Sequence, residues 1–292
     1  MKVLIIGGHG FIGKAIHDTL KADGYEVIAT SSSVSTKYNN RSIDSNLFHI
    51  NSMNELLNSV EPEVVIQSSW ITDKKNYEQS ADNKKYSEAT VAFAELCFQK
   101  NVKHFIGIGS SAEYGSHQPN CVAGKSTTLP ETAYAQNKLR TFELISELEK
   151  NFSSRFTWVR IFQPYGQGLG QSRLIPIIVT GLKSGSTVKI QNPSNVLDWI
   201  SVEDIASAIS FLVKVDTPSV IDIGTGVGTS VLDLANTIAE ILNSNPNLIS
   251  HSTNSLSKEI KSLVVGTGSP LFQAGWKPQD ALLPGLRRLL VK

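Results

Sequence analysis

The stretch VLIIGGHGFIG, residues 3–13, contains the pattern that decides the fold. An apolar run typical of a buried strand leads into closely spaced glycines, which read as GxxGxxG from Gly7 and as GxGxxG from the next residue. Such glycines allow a tight turn, close approach of a pyrophosphate and close packing of a helix on the strand. The helix that follows would offer free N–H groups to an anion. We therefore predict a dinucleotide site, with a tight turn that binds no ligand as the alternative. Its predicted cofactor-binding residues are Gly7, Gly10, Phe11, Ile12 and Gly13.

Strand-like and helix-like segments alternate through the first half of the chain. Continuous apolar runs, which mark strands buried on both faces, predict strands at 3–6, 27–30, 64–67, 104–108 and 157–161. Apolar residues at helical spacing predict helices at 11–23, 54–60, 83–100 and 133–150. Alternation of this kind predicts an α/β fold, namely a Rossmann doubly wound parallel sheet with helices on both faces.

The pattern loosens after about residue 162, where stretches rich in Gly, Gln and Ser appear. We predict a dinucleotide-binding Rossmann domain over 1–165, with a return segment at about 190–225 that could rejoin the main sheet. The remaining segments, 166–189 and 226–292, are predicted to form a smaller, interleaved α/β region that binds the substrate.

Composition and charge exclude several classes of protein. Hydrophobic residues make up 40% of the 292 residues and charged residues 18%, which is typical of a globular protein. A net charge of +1 gives no bias towards nucleic acid or a membrane surface, and no apolar run is long enough to span a bilayer. The N-terminal run is too short for a signal peptide, and we expect a cytoplasmic protein.

The cysteines and histidines do not form a metal-ligand pattern, so no metal is predicted. Cys97 lies in a helical pattern and is expected in the core. Cys121 lies in a polar stretch that is predicted to be a loop, where its thiol could be exposed.

The end of the second predicted strand bears on the choice of cofactor. Sites for NAD usually place an Asp or Glu about 20 residues beyond the glycines, where it bonds the ribose 2′-hydroxyl. Here Ser31 and Ser32 follow the strand, without a carboxylate. Their hydroxyls could bond a 2′-phosphate, and Lys37 or Arg41 could neutralise it; the alternative is that both are solvated loop charges. The sequence therefore favours NADP(H), with NAD(H) as the alternative.

A tyrosine and a lysine four residues apart form a second marked feature. Tyr134 and Lys138 would share one face of a predicted helix. A nearby ammonium favours the phenolate and lowers the tyrosine pKa from about 10, which suits proton transfer near neutral pH. Ser110 follows the strand predicted at 104–108, at the edge where ligands of such sheets bind. Alone, the pair would be an ordinary surface contact; with Ser110 and the glycine loop it predicts a catalytic site.

These motifs resemble the extended short-chain dehydrogenase/reductases, also called the NAD-dependent epimerase/dehydratase family. The resemblance covers nearly the whole chain, through GGHGFIG (7–13), GSSAEYG (109–115), YAQNK (134–138), RIFQPYGQG (160–168), LDWISVEDIA (197–206), IGTG (223–226) and GWKP (275–278). It implies an enzyme acting on a nucleotide-linked sugar, with Tyr134 as the acid/base and Lys138 on the nicotinamide ribose. Ser110, or Ser111 if the register slips by one, would orient the substrate.

Three positions depart from the family pattern in the substrate region. Ala112 stands where the family's dehydratases carry an acidic or serine-like residue, which argues against a dehydratase. Gln163 replaces an asparagine that contacts the substrate's phosphate. Leu197 replaces an arginine that often binds the diphosphate, which puts the nucleotide part of the substrate in doubt.

Further candidates lie on two loops. Residues 67–70 read QSSW in place of a more usual His-Leu-Ala run. We take Ser69 as a cofactor-binding candidate. Trp70 is taken to line the nicotinamide or substrate pocket, with loop packing as an equal alternative. Arg173, after a Gly/Gln-rich loop, could contact the substrate's phosphates.

Three functions compete at this point. The first is a reductase, most like those of nucleotide-linked 4-keto-6-deoxyhexoses, in which NADPH gives hydride to a keto-sugar while Tyr134 protonates the oxygen. The second is a C4 epimerase with tightly held NAD⁺. The third is a non-catalytic, nucleotide-sensing Rossmann protein, although such proteins commonly lose the Tyr/Lys pair. The family resemblance also implies a homodimer through the helices at 83–100 and 133–150, whose apolar spacing fits packing on the protein's own sheet equally well.

Overall fold

The computed structural model describes residues 1–31, 45–71, 77–251, 262–267 and 269–291 with their side chains, and 36–38 and 41–43 as backbone. The strands are β1 Lys2–Ile6, β2 Glu26–Ala29, β3 Thr36–Tyr38, β4 Arg41–Ile43, β5 Val64–Gln67, β6 His104–Ser110, β7 His117–Cys121, β8 Arg155–Ile161, β9 Gln163–Tyr165, β10 Val188–Ile190, β11 Val196–Ser201, β12 Val220–Ile223, β13 Gly228–Ser230, β14 Ile249–His251 and β15 Leu263–Gly266. The α-helices are α1 Phe11–Ala22, α2 Ile50–Val60, α3 Asp82–Gln99, α4 Ala133–Glu149, α5 Leu174–Lys183, α6 Val202–Lys214, α7 Val231–Ile241, α8 Pro270–Gln273 and α9 Leu282–Leu290. Short 3₁₀ helices span Tyr77–Gln79, Ser111–Tyr114 and Pro246–Leu248.

The main sheet is parallel throughout its described strands, in the order β12-β8-β6-β5-β1-β2. Val3 of β1 pairs with Val27 of β2 on one side and with Val64 of β5 on the other. Because neighbouring strands run the same way, their carboxyl ends meet at one edge of the sheet. This topology confirms the predicted doubly wound parallel sheet.

Alternate residues of each strand point to opposite faces of the sheet and pack into two separate hydrophobic cores. In β1, Val3 and Ile5 face the layer that contains α1 and α6, where Ile16 and Ile209 are buried. Residues 4 and 6 of the same strand face the opposite layer, which contains α2, α3 and α4. Both faces of the sheet are therefore covered, which explains why its strands read as continuous apolar runs.

The predicted elements of the first half agree with the structure to within a few residues at each end. The largest difference is at α2, which begins at Ile50 where the sequence predicts 54. The strand predicted at 104–108 continues to Ser110, so Ser110 is itself the last residue of β6. This extension places its side chain at the carboxyl edge of the sheet.

A smaller sheet joins segments that are far apart in the sequence. Its order is β13-β11-β15-β7, and β9 pairs with β11. The suggestion that Cys121 could be exposed in a loop is wrong. Cys121 ends β7 and is fully buried against Tyr114, Phe162 and Val264, because β7 pairs with β15 from the end of the chain.

The return of the chain to the main sheet is carried by β12, which pairs with β8. The preceding strand, β11, lies instead in the smaller sheet. The division of the chain into two regions at about residue 165 stays a prediction. None of the helices within the described ranges combines the length and the apolar character that crossing a bilayer requires.

Candidate active site

The glycine loop joins β1 to α1 through backbone contacts that leave no room for side chains. Gly7 has a φ of +80°, a conformation that favours glycine. A Cβ atom at Gly13 would lie 2.2 Å from the carbonyl oxygen of Gly7 and 2.8 Å from Oγ of Ser68. At Gly8 a Cβ would lie 2.6 Å from Cβ of Ala29. The loop is thus packed tightly against the strands on both sides.

Helix α1 begins without a side-chain cap. Gly10 is the N-cap residue and has no side chain that could accept from the first-turn N–H groups. The positive end of the helix dipole lies at the same place. Gly10, Phe11 and Ile12 also line the cavity described next. An uncapped helix N-terminus beside a glycine turn is an anion cradle, and these residues fit the pyrophosphate of a nicotinamide dinucleotide.

A cavity of about 980 Å³ opens at the carboxyl edge of the main sheet. It runs from the glycine loop after β1, past the ends of β5 and β6, to the segment after β8. The predicted site residues that line it are Gly7, Gly10, Phe11, Ile12, Gly13, Ser31, Ser69, Trp70, Ser110, Ser111, Tyr134, Gln163 and Arg173. Lys138 does not line the cavity but lies directly behind it. Residues from distant parts of the sequence are thus brought to one place.

The end of β2 contributes Ser31 to the cavity wall. Ser32 and the side chains of Lys37 and Arg41 lie outside the described residues, so their roles stay predictions. Within the described lining, Glu78 is the single carboxylate, and it belongs to a different element from Ser31.

Ser110 is held at the end of β6 by a capping box. Its Oγ accepts a hydrogen bond from the Ala112 N–H at 3.2 Å. Its own N–H donates to Oε1 of Glu113 at 2.9 Å. The hydroxyl is thereby kept on the cavity side of the turn that follows the strand.

Tyr134 and Lys138 lie in the first turns of α4. The helix is capped by Thr132, whose Oγ1 accepts from the Ala135 N–H at 3.1 Å. Tyr134 is partly exposed to the cavity, whereas Lys138 is buried. Nζ of Lys138 lies 5.9 Å from the centre of the Tyr134 ring and donates to the carbonyl oxygen of Ile108 at 2.6 Å.

Burial changes the pKa of both residues. It raises the pKa of Tyr134 well above 10. It lowers the pKa of Lys138 to about 7, with the carboxylate of Glu113 acting in the opposite direction. The expectation that Lys138 lowers the tyrosine pKa is therefore wrong for the protein in this state, because removal from water dominates and the ammonium is directed at Ile108. Tyr134 is protonated at neutral pH.

A buried ionic network lies under the Ser110 turn. Oε2 of Glu113 accepts from Nε of Arg160 at 2.7 Å, and both side chains are almost completely buried. The indole N–H of Trp158 donates to the same carboxylate at 3.0 Å. Arg160 also donates to the hydroxyl of Tyr114, which in turn donates to Asp222 at 2.8 Å. The network joins the turn to β8 and β12.

Sequence reasoning missed two residues of this region, Tyr77 and Asn83. The Tyr77 ring meets that of Tyr134 edge to face at 5.3 Å, and its hydroxyl accepts from Arg173 at 3.2 Å. Asn83 is fully buried and accepts from the indole N–H of Trp70 at 2.9 Å. No motif marks either residue; these contacts of the Tyr77 side chain are with residues far along the chain, and those of Asn83, although closer in sequence, follow no recognised spacing. In the part of the chain that the structure describes, no group of three or more His, Cys, Asp or Glu residues could hold a metal.

Comparison with known proteins gives consistent results. Residues 3–224 match the NAD dependent epimerase/dehydratase family. The dTDP-4-dehydro-6-deoxyglucose reductase of Escherichia coli is 21% identical, over 99% of this chain and 96% of that protein. The UDP-glucose 4-epimerase of Mycolicibacterium smegmatis is 24% identical, over 99% of this chain and 97% of that protein.

A solved structure gives the same fold. The crystal structure of UDP-glucose 4-epimerase from Thermus thermophilus, in complex with NAD, aligns with a TM-score of 0.79 at 19% identity. The alignment covers 99% of this chain and 98% of that one. Because the family match takes in about three quarters of the sequence, the chain belongs to the NAD dependent epimerase/dehydratase family of extended short-chain dehydrogenase/reductases.

Proposed function

We propose that this protein is an NADPH-dependent reductase of a nucleotide-linked keto-sugar, with Tyr134 as the proton donor. One observation carries the proposal: a single cavity is lined by both the glycine loop and the pair Ser110 and Tyr134, with Lys138 directly behind. A dinucleotide cradle and a proton-donating group thus share one space. The nicotinamide, when bound, supplies the hydride.

In this proposal the protein's own residues handle the oxygen of the substrate's carbonyl group. Ser110 donates a hydrogen bond to that oxygen and orients it. Tyr134 gives up its proton to the oxygen as negative charge develops there. The raised pKa of Tyr134 supports this direction, because the residue enters the reaction fully protonated. The ammonium of Lys138 stabilises the phenolate that remains and would help to hold the nicotinamide ribose of a bound dinucleotide.

The preference for NADPH is supported by the end of β2. A carboxylate that bonds the 2′-hydroxyl of NAD would be expected there. Ser31 lies on the cavity wall instead, and the one acidic residue of the described lining belongs to another element. We propose that Ser31 and Ser32 bond the 2′-phosphate and that Lys37 or Arg41 neutralises it.

The substrate is proposed to lie between Ser111, Gln163 and Arg173, which line the same cavity as the glycine loop. Arg173 brings a guanidinium group to the described lining and is suited to a phosphate. Nucleotide-linked sugars are named as substrates of the E. coli and M. smegmatis relatives, which supports the same class here. Ala112 offers no group for water elimination, so a dehydratase is not proposed.

Turnover of NADPH with nucleotide-linked 4-keto-6-deoxyhexoses tests the proposal. We expect substrate-dependent loss of absorbance at the nicotinamide band. Tyr134→Phe should lower kcat by at least about 100-fold and leave NADPH binding unchanged, because general acid catalysis contributes about 10²–10⁴-fold. Turnover that survives the loss of the Tyr134 hydroxyl would overturn the assignment. If the wild-type protein binds the dinucleotide but turns over none of these substrates, a sensor protein would be favoured.

The second candidate is a C4 epimerase that holds NAD⁺ through each turnover. The M. smegmatis relative and the T. thermophilus structure with NAD favour it. An epimerase would purify with bound NAD⁺ and convert its substrate without net change at the nicotinamide band. The reductase proposal predicts ligand-free protein that consumes NADPH.

A further inference from the structure

The ammonium of Lys138 is surrounded by aromatic rings. Its Nζ lies 3.8 Å from the ring centre of Trp70, 5.6 Å from that of Trp158 and 5.9 Å from that of Tyr134. Cations are attracted to ring faces within about 6 Å, most strongly to tryptophan. Trp70 is by far the nearest of these rings, so it dominates this contact.

The indole of Trp70 is fixed in this position by Asn83. Its N–H donates to Oδ1 of Asn83 at 2.9 Å. The amide of Asn83 donates in turn to the carbonyl oxygens of Tyr77 at 2.7 Å and Ser80 at 2.9 Å. Asn83 is fully buried, with both ends of its side chain bonded. The arrangement is therefore a built support and not a chance approach of two side chains.

We propose that Trp70 is a positioning residue, which keeps Lys138 in its charged form and in place behind Tyr134. Burial alone drives a lysine towards the neutral state, and a neutral amine could not stabilise a phenolate. The ring face of Trp70 attracts the ammonium without adding a second ionisable group. The contribution to turnover rests on the proposed function, whereas the contact itself does not.

Other groups also face the ammonium. Glu113, from the 3₁₀ helix after β6, is the charged group that acts on Lys138 and favours its protonation. Tyr134, on the same helix as Lys138, is protonated and uncharged at neutral pH. Trp158 on β8 presents a ring, and Ile108 on β6 a carbonyl oxygen. The attraction of the Trp70 ring therefore adds to the stabilisation of the ammonium by Glu113, and the contacts with Trp158 and Ile108 are present as well.

Direct measurement of the Lys138 pKa tests the proposal in the ligand-free full chain. Lysine labelled with ¹³C and ¹⁵N would be followed by NMR through a pH titration, and the signal of interest identified by its loss in Lys138→Arg. In Trp70→Leu the pKa is expected to fall by about one unit, because the cation–π contact that stabilises the charged form is lost. Trp70→Phe should give a smaller fall, since a phenyl ring keeps part of the attraction.

The matched control is Trp276→Phe, at a tryptophan that donates to Ser207 and stacks on Phe272, away from the cavity. It should leave the Lys138 pKa unchanged. If Trp70→Leu does not fold, trifluorotryptophan incorporated at position 70 keeps the shape of the ring and weakens its negative face. The pKa should then fall in the same direction. An unchanged or higher pKa in the variant that folds would overturn the proposal.

Kinetics separates positioning from general damage. Activity should decline as pH rises through the Lys138 pKa, because the charged form is needed. Trp70→Leu should move this decline about one unit lower and leave kcat closer to that of the wild type at acidic pH. An equal loss of kcat at every pH would mean that Trp70 only packs. If the proposed function is wrong but the role of Trp70 is right, the protein would turn over no keto-sugar. The Lys138 pKa measured by NMR would still fall in Trp70→Leu.

Discussion

Lys138 shows how strongly one buried charge can be shaped by its surroundings. Its side chain is 3% exposed, and its pKa is lowered from 10.5 to about 7, chiefly by burial. The amine binds a proton much more readily in the unfolded chain than in the folded protein. This difference in pKa destabilises the folded state. The residue is thus retained at the expense of stability, which is common at functional sites.

A pH-dependent gain in stability is expected for Lys138→Met. The folded pKa is depressed, so the unfolded state binds more protons between about pH 7 and 10.5, and stability rises with pH across this window. Removing the amine should therefore stabilise the protein more at pH 6 than at pH 9, by about 2–3 kcal/mol. Urea denaturation at both pH values measures the difference.

The control for this prediction is Lys125→Met, at an exposed lysine. Its effect on the free energy of unfolding should be the same at pH 6 and pH 9. Equal effects of Lys138→Met at the two pH values would contradict the account of the buried ammonium.

At the residue scale, motifs predicted which residues of the proposed site lie together, but not how burial shifts their pKa values. The spacing of Tyr134 and Lys138 predicts a shared helix face, and both are found beside the cavity. The pKa of Tyr134 has the opposite shift from the one expected, since burial depends on the packing of α4 on the sheet. The contact between Trp70 and Lys138 spans 68 positions and has no local signature.

At the scale of elements, the junction between β1 and α1 depends on glycine for steric reasons. We expect Gly13→Ala to destabilise the protein by about 1–3 kcal/mol, because its Cβ would meet the Gly7 carbonyl oxygen at 2.2 Å. The shifted loop should also weaken dinucleotide binding. Chemical denaturation and a binding titration measure the two effects.

Gly24→Asn provides the comparison, at the other end of the same helix. Gly24, unlike Gly13, has a positive φ, and a Cβ there meets nothing within 4 Å. Asparagine tolerates this conformation, so the loss should stay below about 1 kcal/mol, with unchanged binding. A loss at Gly13 as small as that at Gly24 would mean that the contact with Gly7 does not explain the requirement.

Strands β6 and β8 are joined by a buried histidine that is neutral. Nδ1 of His104 accepts from Arg155 at 2.6 Å, so Nε2 carries the hydrogen and donates to Thr157 at 2.9 Å. Burial and the neighbouring guanidinium lower the His104 pKa to about 3. Between about pH 6.5 and pH 3, His104 takes up a proton in the unfolded chain but not in the folded protein. The free energy of unfolding therefore falls as the pH drops through this window.

His104→Gln is expected to reduce this loss by a few kcal/mol at pH 4. Denaturation midpoints measured between pH 7 and pH 4 give the slope. His117→Gln, at an exposed site, should keep the slope of the wild type. An unchanged slope in His104→Gln would show that other groups govern the acid response.

The long helices and strands were predictable because each has enough residues to show the spacing of apolar side chains that is typical of its type. Short strands were not: β7 reads HQPNC, whose proline and asparagine are typical of a loop. Its pairing with β15, more than 140 positions later, makes it a strand and buries Cys121. Local sequence contains no trace of that partner.

At the scale of the whole molecule, the ionic network under Ser110 connects the two halves of the chain. Arg160→Met would leave the carboxylate of Glu113 buried without its partner, which costs about 3–5 kcal/mol. The double variant with Glu113→Gln should recover part of this loss, because the uncompensated charge is gone. A double-variant cycle of unfolding free energies measures the coupling; strictly additive losses would contradict it.

The claim that unites these scales is that the cavity at the carboxyl edge of the sheet binds a nicotinamide dinucleotide through its glycine loop. A fluorescence titration of ligand-free protein with NADPH and with NADH tests it most directly. We predict saturable binding of NADPH with one site per chain, tighter than that of NADH, and weaker binding of both to Gly13→Ala. If neither dinucleotide binds, or if Gly13→Ala binds as well as the wild type, the claim is wrong.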